Sequence, residues 1–415
     1  MDQLRQITEL LLITIYFVLS FWWLVLPVLL CFILMASFES FKRMNFLANM
    51  KWVSLQLSVP RETRKSPKAT EQIFAALHTV ASKVKPKDKF WKGKVGDWFS
   101  FEIVSIGGDI NFIIRVLEAN RNLLESQIYA QYPDAEIFEV DDYMADYPDV
   151  MPDEQYDATG GELILTKSDA YPIRTYPEFE EEHAGKDDLK RLDPLASLSQ
   201  SMAILQPGEI MAVQVLVKST DDKWAKDAQA EVDKLMGKKS KIKHGAIAST
   251  IIGIDKFIFH PISGEIKKDD KDATMASIQF GKQEQIKAID RSTAKLGFST
   301  NIRFIYFAER AKFNKGRVAG VTGAFKQLSS QNLNGFKVDG DTKPDGKWPI
   351  KEWMEFRRKK KLYKKFKRRQ FAAKSYVLNT EELATIYHFP DIGIESPLPR
   401  IEAKKGEPPA NLPIA

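Results

Sequence analysis

Cysteine is almost absent from this chain, whose 415 residues contain one, Cys31. A single cysteine excludes a disulfide scaffold, a cysteine-ligated zinc module and an iron–sulfur centre. The 5 histidines lie far apart and none belongs to an HxxxH or HxH pair, so the sequence predicts no local histidine metal site. We therefore expect the protein to bind neither a metal nor a cofactor.

The short motifs of common catalytic sites are also missing. The sequence contains no GxxxxGKS or GxxxxGKT phosphate loop, no GxGxxG after a strand, no GxSxG nucleophile elbow and no HExxH zinc motif. Residues 340–347 come nearest to a phosphate loop, but their spacing is wrong and they lead into Trp348. We expect a protein that is not an enzyme, and an enzyme whose catalytic residues converge from distant positions stays open as a further class.

One stretch partly matches a calcium-binding loop. Asp341, Asp345, Gly346 and Glu352 stand at four positions of that template. Lys343 occupies a position where the template needs a ligand, and Pro-Asp-Gly is ordinary turn chemistry. The sequence therefore favours a turn over a calcium site.

The overall composition suits a folded protein of two or three domains. Hydrophobic residues make up 44% and charged residues 28% of the chain, which excludes a disordered or collagen-like sequence. The 61 Lys and Arg against 55 Asp and Glu give a net charge of +6. This small excess hides regions of very different character.

Residues 1–48 are expected to be a transmembrane anchor. No charged residue occurs from Leu10 to Phe38, and a helix needs roughly 20 apolar residues to cross a bilayer. The run is longer than that of a cleaved signal peptide, and a re-entrant pair of half-helices broken at Pro27 is a minor alternative. More cations follow the run than precede it, so the positive-inside rule places the C-terminal body in the cytoplasm.

Residues 49–142 show the element order of a ferredoxin-like unit. Alternating apolar residues predict strands over 52–59, 98–104, 110–116 and 135–140. Helical periodicity follows Ser66-Pro67 and again covers 121–132. The resulting order, βαββαβ, is the split-βαβ arrangement, which hosts many unrelated functions.

Residues 143–350 are expected to form a second α+β unit whose N-terminal part is acidic. Strands are predicted over 162–166, 210–217 and 301–307. Helices are predicted over 193–204, 222–236, 277–296 and 318–328. This order is compatible with a second ferredoxin-like unit, although no residue-level repeat demonstrates a duplication.

Residues 351–415 combine a basic helix with an extended, Pro-rich tail. Aromatic residues interleave with the basic ones at helical spacing, and Asn379 is placed to cap a short helix that follows. We take the basic residues as the candidate binding site for nucleic acid or lipid: Arg357, Arg358, Lys359, Lys360, Lys361, Lys364, Lys365, Lys367, Arg368 and Arg369.

Four interpretations of the basic helix stay open from its sequence. Its cations can neutralise DNA phosphates and release counterions, with aromatic rings stacking on bases. They can also hold anionic lipid head groups. The third partner is the acidic segment 134–193, of a neighbouring molecule or of the same chain. The fourth is a solvated helix without a specific partner.

Two stretches of the chain carry a resemblance to a known family. They are Trp52–Pro60, with Phe74–His78 and Tyr132–Ile137, and Val377–Pro390, followed by Glu407–Pro413. In these stretches and in element order the chain resembles the membrane-anchored N-terminal region of type IV secretion and conjugative DNA-transfer ATPases of bacteria. In such proteins a segment like the second stretch leads into the nucleotide-binding core.

The resemblance implies a role in secretion or DNA transfer. Since the sequence ends at Ala415 without a nucleotide-binding motif, we expect a stand-alone, single-pass adaptor of the bacterial inner membrane that docks a separate P-loop ATPase. Self-association into a homo-oligomer stays open. The runner-up is a structural membrane scaffold whose basic helix binds anionic lipid and has no nucleic-acid role.

Overall fold

A computed structural model describes residue 20 and residues 22–60, 65–80, 84–181, 193–236, 280–346, 348–372 and 374–389. The chain divides into two compact units, one made of Met1–Lys51 and Ala81–Asp97 and the other of Trp52–Val80 and Trp98–Ala415. The predicted Pro-rich tail lies outside the described residues.

Eleven α-helices and nine strands occur within the described residues. In chain order they are α1 (Trp22–Ala48), β1 (Trp52–Ser58), α2 (Lys68–Leu77), α3 (Pro86–Lys92), β2 (Phe99–Ile106), β3 (Asp109–Leu117), α4 (Arg121–Gln131), β4 (Glu136–Val140), β5 (Tyr156–Leu165), α5 (Tyr176–Glu181), α6 (Ala196–Ala203), β6 (Glu209–Ser219), α7 (Lys223–Leu235), α8 (Phe280–Thr293), β7 (Gly297–Glu309), α9 (Val318–Gln327), β8 (Phe336–Val338), α10 (Lys351–Lys367), β9 (Tyr376–Asn379) and α11 (Thr380–Ile386).

The first unit consists of the long helix α1 and the short helix α3. Near the end of α1 the ring of Phe38 lies 5.9 Å from that of Phe90 and 6.3 Å from that of Trp91. Farther toward its N-terminus, residues 26–37 are all exposed. The predicted span begins at Leu10, outside the described residues, and within those residues no helix meets the length and hydropathy needed to cross a membrane.

The second unit is built on one antiparallel sheet. Its strand order is β4-β1-β3-β2-β6-β7-β5-β8, and β9 pairs with the first residues of β7. Strands β1 to β4 follow one another with α2 and α4 in the predicted order βαββαβ. The tight turn between β2 and β3 uses Gly107 and Gly108, with φ of 61° and 102°, where a residue with a Cβ would be strained. The α+β class predicted from the sequence is confirmed.

The second half of the sheet repeats the strand order of the first in mirror sequence. Strands β6, β7, β5 and β8 are arranged as β2, β3, β1 and β4 are, and the segment between β6 and β7 carries α7 and α8. The two halves join through β2 and β6, which pair from Phe99 and Val217 to Ile106 and Ile210. The sheet therefore runs without a break across both predicted α+β regions.

Most predicted elements occur, with shifted ends. Strand β5 begins at Tyr156 rather than at the predicted Glu162, and β7 spans Gly297–Glu309 rather than 301–307. The residues added to β5 include the polar and glycine-rich segment 157–161, which has low strand propensity. They are extended because β5 pairs with β7 along that length.

The two faces of the sheet bury separate hydrophobic cores. Along β7, Ile302, Phe304 and Tyr306 face the larger core, which contains residues of α2, α4, α6, α9 and α11, while Ile305 and Phe307 face the smaller one. This alternation is the period-2 geometry of a strand. The smaller core is closed by residues of α10 and of the segment 143–156.

Candidate interaction surface on helix α10

Helix α10 covers the smaller core of the sheet through one apolar side. Tyr363 and Phe366 lie in that core and Leu362 beside them is buried, which matches the 3–4 residue spacing of a helix. The Tyr363 hydroxyl also donates a hydrogen bond to the carbonyl oxygen of Pro148 at 2.7 Å. The aromatic residues predicted to interleave with the basic ones therefore divide, because Trp353 and Phe356 are exposed.

Three lysines of α10 face the sheet and pair with acids. Their Nζ atoms lie 2.9 Å from carboxylate oxygens, in the pairs Lys359–Asp157, Lys365–Glu162 and Lys367–Asp149. All three acids belong to the acidic segment 134–193. The structure thus brings the basic helix onto the acidic segment of its own chain, which was one of the four interpretations.

Arg369 lies in a buried ion cluster just beyond the end of α10. It is 4% exposed, and its guanidinium donates to Glu102 on β2 at 3.0 Å and to Asp142 at 2.7 Å. Burial raises the pKa of Glu102. The positive charge of Arg369 and hydrogen bonds from Arg369, Ser100 and Tyr143 outweigh burial and hold that pKa below its ordinary value. Arg369 is therefore a structural cation.

Arg358 supports a turn rather than facing a ligand. Its Nη1 atom donates to the carbonyl oxygens of Gly340, Lys343 and Asp345 at 3.1, 3.0 and 2.7 Å. This turn is the stretch that partly matched a calcium loop. A carboxylate oxygen of Asp345 lies 2.6 Å from Lys343 Nζ, and across the described residues no group of His, Cys, Asp and Glu is arranged to hold a metal ion.

The other five cations of the predicted site share one outward surface. Each lies three or four residues from another of the set, so they follow one side of the helix over roughly 16 Å. Among the described residues none of them lies within 4 Å of a carboxylate oxygen, although Arg368 is near enough to Asp149 to help lower the pKa of that carboxyl. We call this set the cationic stripe, and it consists of Arg357, Lys360, Lys361, Lys364 and Arg368.

An exposed apolar cluster adjoins the stripe at the start of α10. Trp348, Ile350, Trp353 and Phe356 are 91%, 50%, 55% and 48% exposed, and we call them the aromatic patch. The Arg357 guanidinium carbon lies 4.6 Å from the centre of the Trp353 ring, which links patch and stripe. The sequence predicted the two ring residues within the helix but missed Trp348 and Ile350, which precede it.

One cleft borders α10, and another lies elsewhere on the second unit. A cleft of about 290 Å³ lies beside α10, and its lining includes Glu162, Asp339, Arg358 and Lys361. The second, of about 200 Å³, lies between α8 and α11, where Lys295 pairs with both Glu71 and Glu381. In the first cleft Glu162 is paired with Lys365, whereas Lys361 belongs to the stripe; in the second, Lys295 holds both acids.

The sequence interpretation missed Glu102, and it also missed Glu71 and Glu381, the two acids that Lys295 joins. Glu102 is the one charged residue of the buried strand Phe99–Ile106, and a lone acid in a buried strand is a signal for an internal cation. The partner, Arg369, lies 267 residues away along the chain. No local pattern connects the two.

Comparison with known proteins provides a family but no described relative. No curated protein matches the chain. A family model described as a domain of unknown function, DUF8128, matches residues 43–399. The match includes the whole sheet, the cationic stripe and the aromatic patch, and it covers far more than half of the sequence. The chain therefore belongs to the DUF8128 family.

Proposed function

We propose that the protein is a membrane-anchored adaptor without enzymatic activity of its own, in a type IV secretion or conjugative DNA-transfer apparatus. Its N-terminal helix holds it in the bacterial inner membrane. Its α+β body lies in the cytoplasm and docks a separate motor ATPase. The observation that carries the proposal is the apolar surface of α1.

Helix α1 exposes apolar side chains in every direction over residues 26–37. That segment makes more than three turns, since a turn takes 3.6 residues, and every residue in it is exposed. The most exposed are Phe32 and Leu34, at 68% and 69%. A helix that is apolar all round is stable when surrounded by a protein core or by lipid. The uncharged sequence from Leu10 to Phe38 supports lipid as the surrounding medium.

We infer that the body consists of two ferredoxin-like units joined edge to edge. The shared strand order of the two halves supports this, because each half places its strands as fourth, first, third and second. Joining the units through β2 and β6 produces a broad, continuous sheet. A scaffold of this kind offers extended surfaces for neighbouring subunits.

The buried charges of the body also support a scaffold. Glu209 accepts hydrogen bonds from Tyr306 at 2.7 Å and from Arg317 at 3.1 Å, much as Glu102 accepts from Arg369. An acid held between such donors serves to fix neighbouring elements in place. The assignment to a secretion or DNA-transfer apparatus is supported by the resemblance in Trp52–Pro60, which includes β1, and in Val377–Pro390, which includes most of β9 and all of α11.

The anchor is tested by membrane extraction. The full chain, expressed in a bacterium, is expected to stay with the membrane after alkaline carbonate and to dissolve only in detergent. Replacing Leu26 and Val28 by Arg should release a large fraction, because each Arg near the centre of a span costs about 2.5–3.5 kcal/mol. Replacing Phe41 and Met44 by Arg, outside the uncharged run, is the matched control. Release of the unaltered chain by carbonate alone would contradict the proposal.

The docking role is tested by purification from a cell that holds a secretion ATPase. Cross-linked, detergent-solubilised protein should carry a P-loop ATPase with it. Recovery of the chain without such an ATPase, from cells in which the apparatus is assembled, would leave the structural scaffold as the better description.

A further inference from the structure

We propose that the cationic stripe and the aromatic patch of α10 together bind the surface of an anionic phospholipid bilayer. The body would thus have a membrane contact separate from the α1 anchor. The inference rests on the proposed function only for the presence of a bilayer near the body. Its chemistry rests on the residues of α10 themselves.

The distribution of charge on α10 leaves the stripe without compensation. The inward cations have internal acceptors: Lys359, Lys365 and Lys367 pair with acids, and Arg369 is buried between two more. No stripe member lies within 4 Å of a carboxylate oxygen among the described residues, although each lies three or four residues from another member and like charges at that spacing repel. Arg368 lies near Asp149, but that acid is already paired with Lys367. An anionic surface outside the protein supplies the missing opposite charge.

The aromatic patch distinguishes between two anionic partners, a bilayer and a nucleic acid. Phosphodiesters are present in both, so the stripe alone does not decide. Tryptophan is enriched at membrane interfaces, and aliphatic side chains enter the boundary between head groups and acyl chains. Ile350 has no aromatic face for stacking on a base, yet it is half exposed and stands between Trp348 and Trp353 in the sequence. The patch therefore favours the bilayer.

The two features reinforce each other energetically. Lipid binding by a single weak signal is reversible, and stable attachment needs two. A basic residue near an anionic leaflet contributes about 1 kcal/mol, which is roughly a fivefold gain in binding for each member of the stripe. A membrane span in the same chain would add a high effective concentration of bilayer surface.

The lone cysteine makes a site-specific test practical with the full chain. In a Cys31→Ser background, Phe356→Cys carries an environment-sensitive fluorophore in the patch. The protein is reconstituted into neutral vesicles of phosphatidylcholine or into anionic vesicles that also contain roughly 30 mol% phosphatidylglycerol. Doxyl-labelled lipids then quench any fluorophore that lies at acyl-chain depth. Gln327→Cys is the control label, because α9 packs on the opposite face of the sheet and Gln327 is exposed.

The inference predicts quenching and a blue shift at position 356 in the anionic vesicles and neither at position 327. Reversing the stripe, by Glu at each of its five positions, should lower the local binding constant at least roughly 100-fold and abolish the response. Reversing five exposed lysines elsewhere changes the net charge equally and should leave the response intact: Lys223, Lys226, Lys282, Lys326 and Lys337. Unchanged circular dichroism and thermal midpoint show that both variants fold.

Three outcomes would overturn the inference. The first is no quenching at position 356 in anionic vesicles, and the second is equal quenching after stripe reversal. The third is loss of quenching when a 30-nucleotide DNA strand is added at a concentration below that of the phosphatidylglycerol in the vesicles. That result would show that the body binds DNA more tightly than the bilayer, and it would identify nucleic acid as the partner. Flotation of the same vesicles reports on the α1 anchor. Flotation without a label response rejects this inference alone, and a label response without stable flotation rejects the anchor alone.

Discussion

Single residues of this protein show how a charge is kept inside a sheet. Arg369 has a φ of 45°, the left-handed region that costs a non-glycine residue energy. The conformation is held because the guanidinium joins Glu102 on β2 to Asp142. Its Nη1 atom also donates to the carbonyl oxygen of Lys367 at 3.0 Å. The ion cluster thus fixes the end of α10 to the first half of the sheet.

Removing the charge of Arg369 should be strongly destabilising. Arg369→Met keeps the apolar stem but leaves Glu102 buried without its cation, and breaking a buried pair in this way costs about 3–5 kcal/mol. The measurement is urea unfolding of the full chain in detergent micelles. Arg368→Met, the adjacent exposed cation, is the control and should change the free energy of unfolding by less than about 0.5 kcal/mol. If Arg369→Met lowered the free energy of unfolding as little as Arg368→Met, the ion cluster would have no structural role.

Glu382 should make the stability of the protein depend on pH. Burial raises the pKa of its carboxyl from 4.5 to about 7, although the amides of Asn379 and Ile173 donate to it at 2.8 and 2.9 Å. Between pH 4.5 and 7 the folded state holds a proton that the unfolded state has lost, so the free energy of unfolding falls as pH rises. Glu382→Gln should remove that fall, a relative gain of roughly 2–3 kcal/mol between pH 4.5 and 8.

The neighbouring Glu381 provides a control of opposite sign. Burial raises its pKa, but hydrogen bonds from Lys295 and Thr175 outweigh burial and keep it below 4.5. Its ion pair therefore stabilises the fold above that pH and is lost on acidification. Glu381→Gln should cost most at neutral pH and progressively less below pH 4.5. Parallel pH profiles for the two variants would contradict both assignments.

At the scale of elements, α10 is amphipathic in charge as well as in hydrophobicity. One side buries Tyr363 and Phe366, its margins place Lys359 and Lys365 on acids, and the far side presents the cationic stripe. The helix is therefore a cover for the sheet and an outward surface at the same time.

Two triple variants of α10 should separate these roles. Gln at Lys359, Lys365 and Lys367 removes two partly buried ion pairs and one whose acid, Asp149, is exposed. The two partly buried pairs should lower the free energy of unfolding by about 1–2 kcal/mol when lost, at up to about 1 kcal/mol each. Gln at Lys360, Lys361 and Lys364 removes equal charge from the stripe and should leave stability within about 0.5 kcal/mol. Thermal unfolding followed by circular dichroism measures both. Equal destabilisation would mean that the stripe also has internal partners.

At the scale of the whole molecule, the joint between β2 and β6 defines the body. Both strands are buried along most of their length, and they exchange backbone hydrogen bonds from Phe99 to Ile106. Each half of the sheet covers the buried edge strand of the other, β2 or β6. We therefore expect the two halves to depend on each other for solubility.

Separating the halves should expose those edges. A fragment of residues 49–154 keeps the pairing of β2 with β3 but opens the edge of β2 that pairs with β6, and an open apolar strand edge promotes association. We expect it to sediment as oligomers or aggregates, and co-expression with residues 155–389 to restore a soluble complex. A monomeric, folded 49–154 fragment would show that the first half is independent.

The sequence by itself determined the local elements and the class of the fold. Alternating apolar residues in 52–58 and 110–116 and helical spacing in 121–131 were sufficient, because strand and helix periodicities are local properties. The helix cap at Asn379 was equally predictable, and its reciprocal bonds with Glu382 are present. The basic composition of 357–369 was visible, as was the acidic character of 134–193.

Only the tertiary structure decided which of those charges face outward. Lys360 and Lys359 are adjacent in sequence and identical in chemistry, yet Lys359 pairs with Asp157, 202 residues away, and Lys360 belongs to the stripe. Likewise, the length of β5 depends on its pairing with β7 rather than on its own propensity. Contacts of this kind join distant parts of the chain, and local spacing contains no information about them. One side of the basic helix therefore pairs with acids and the other forms an exposed surface because of how the helix packs on the folded sheet.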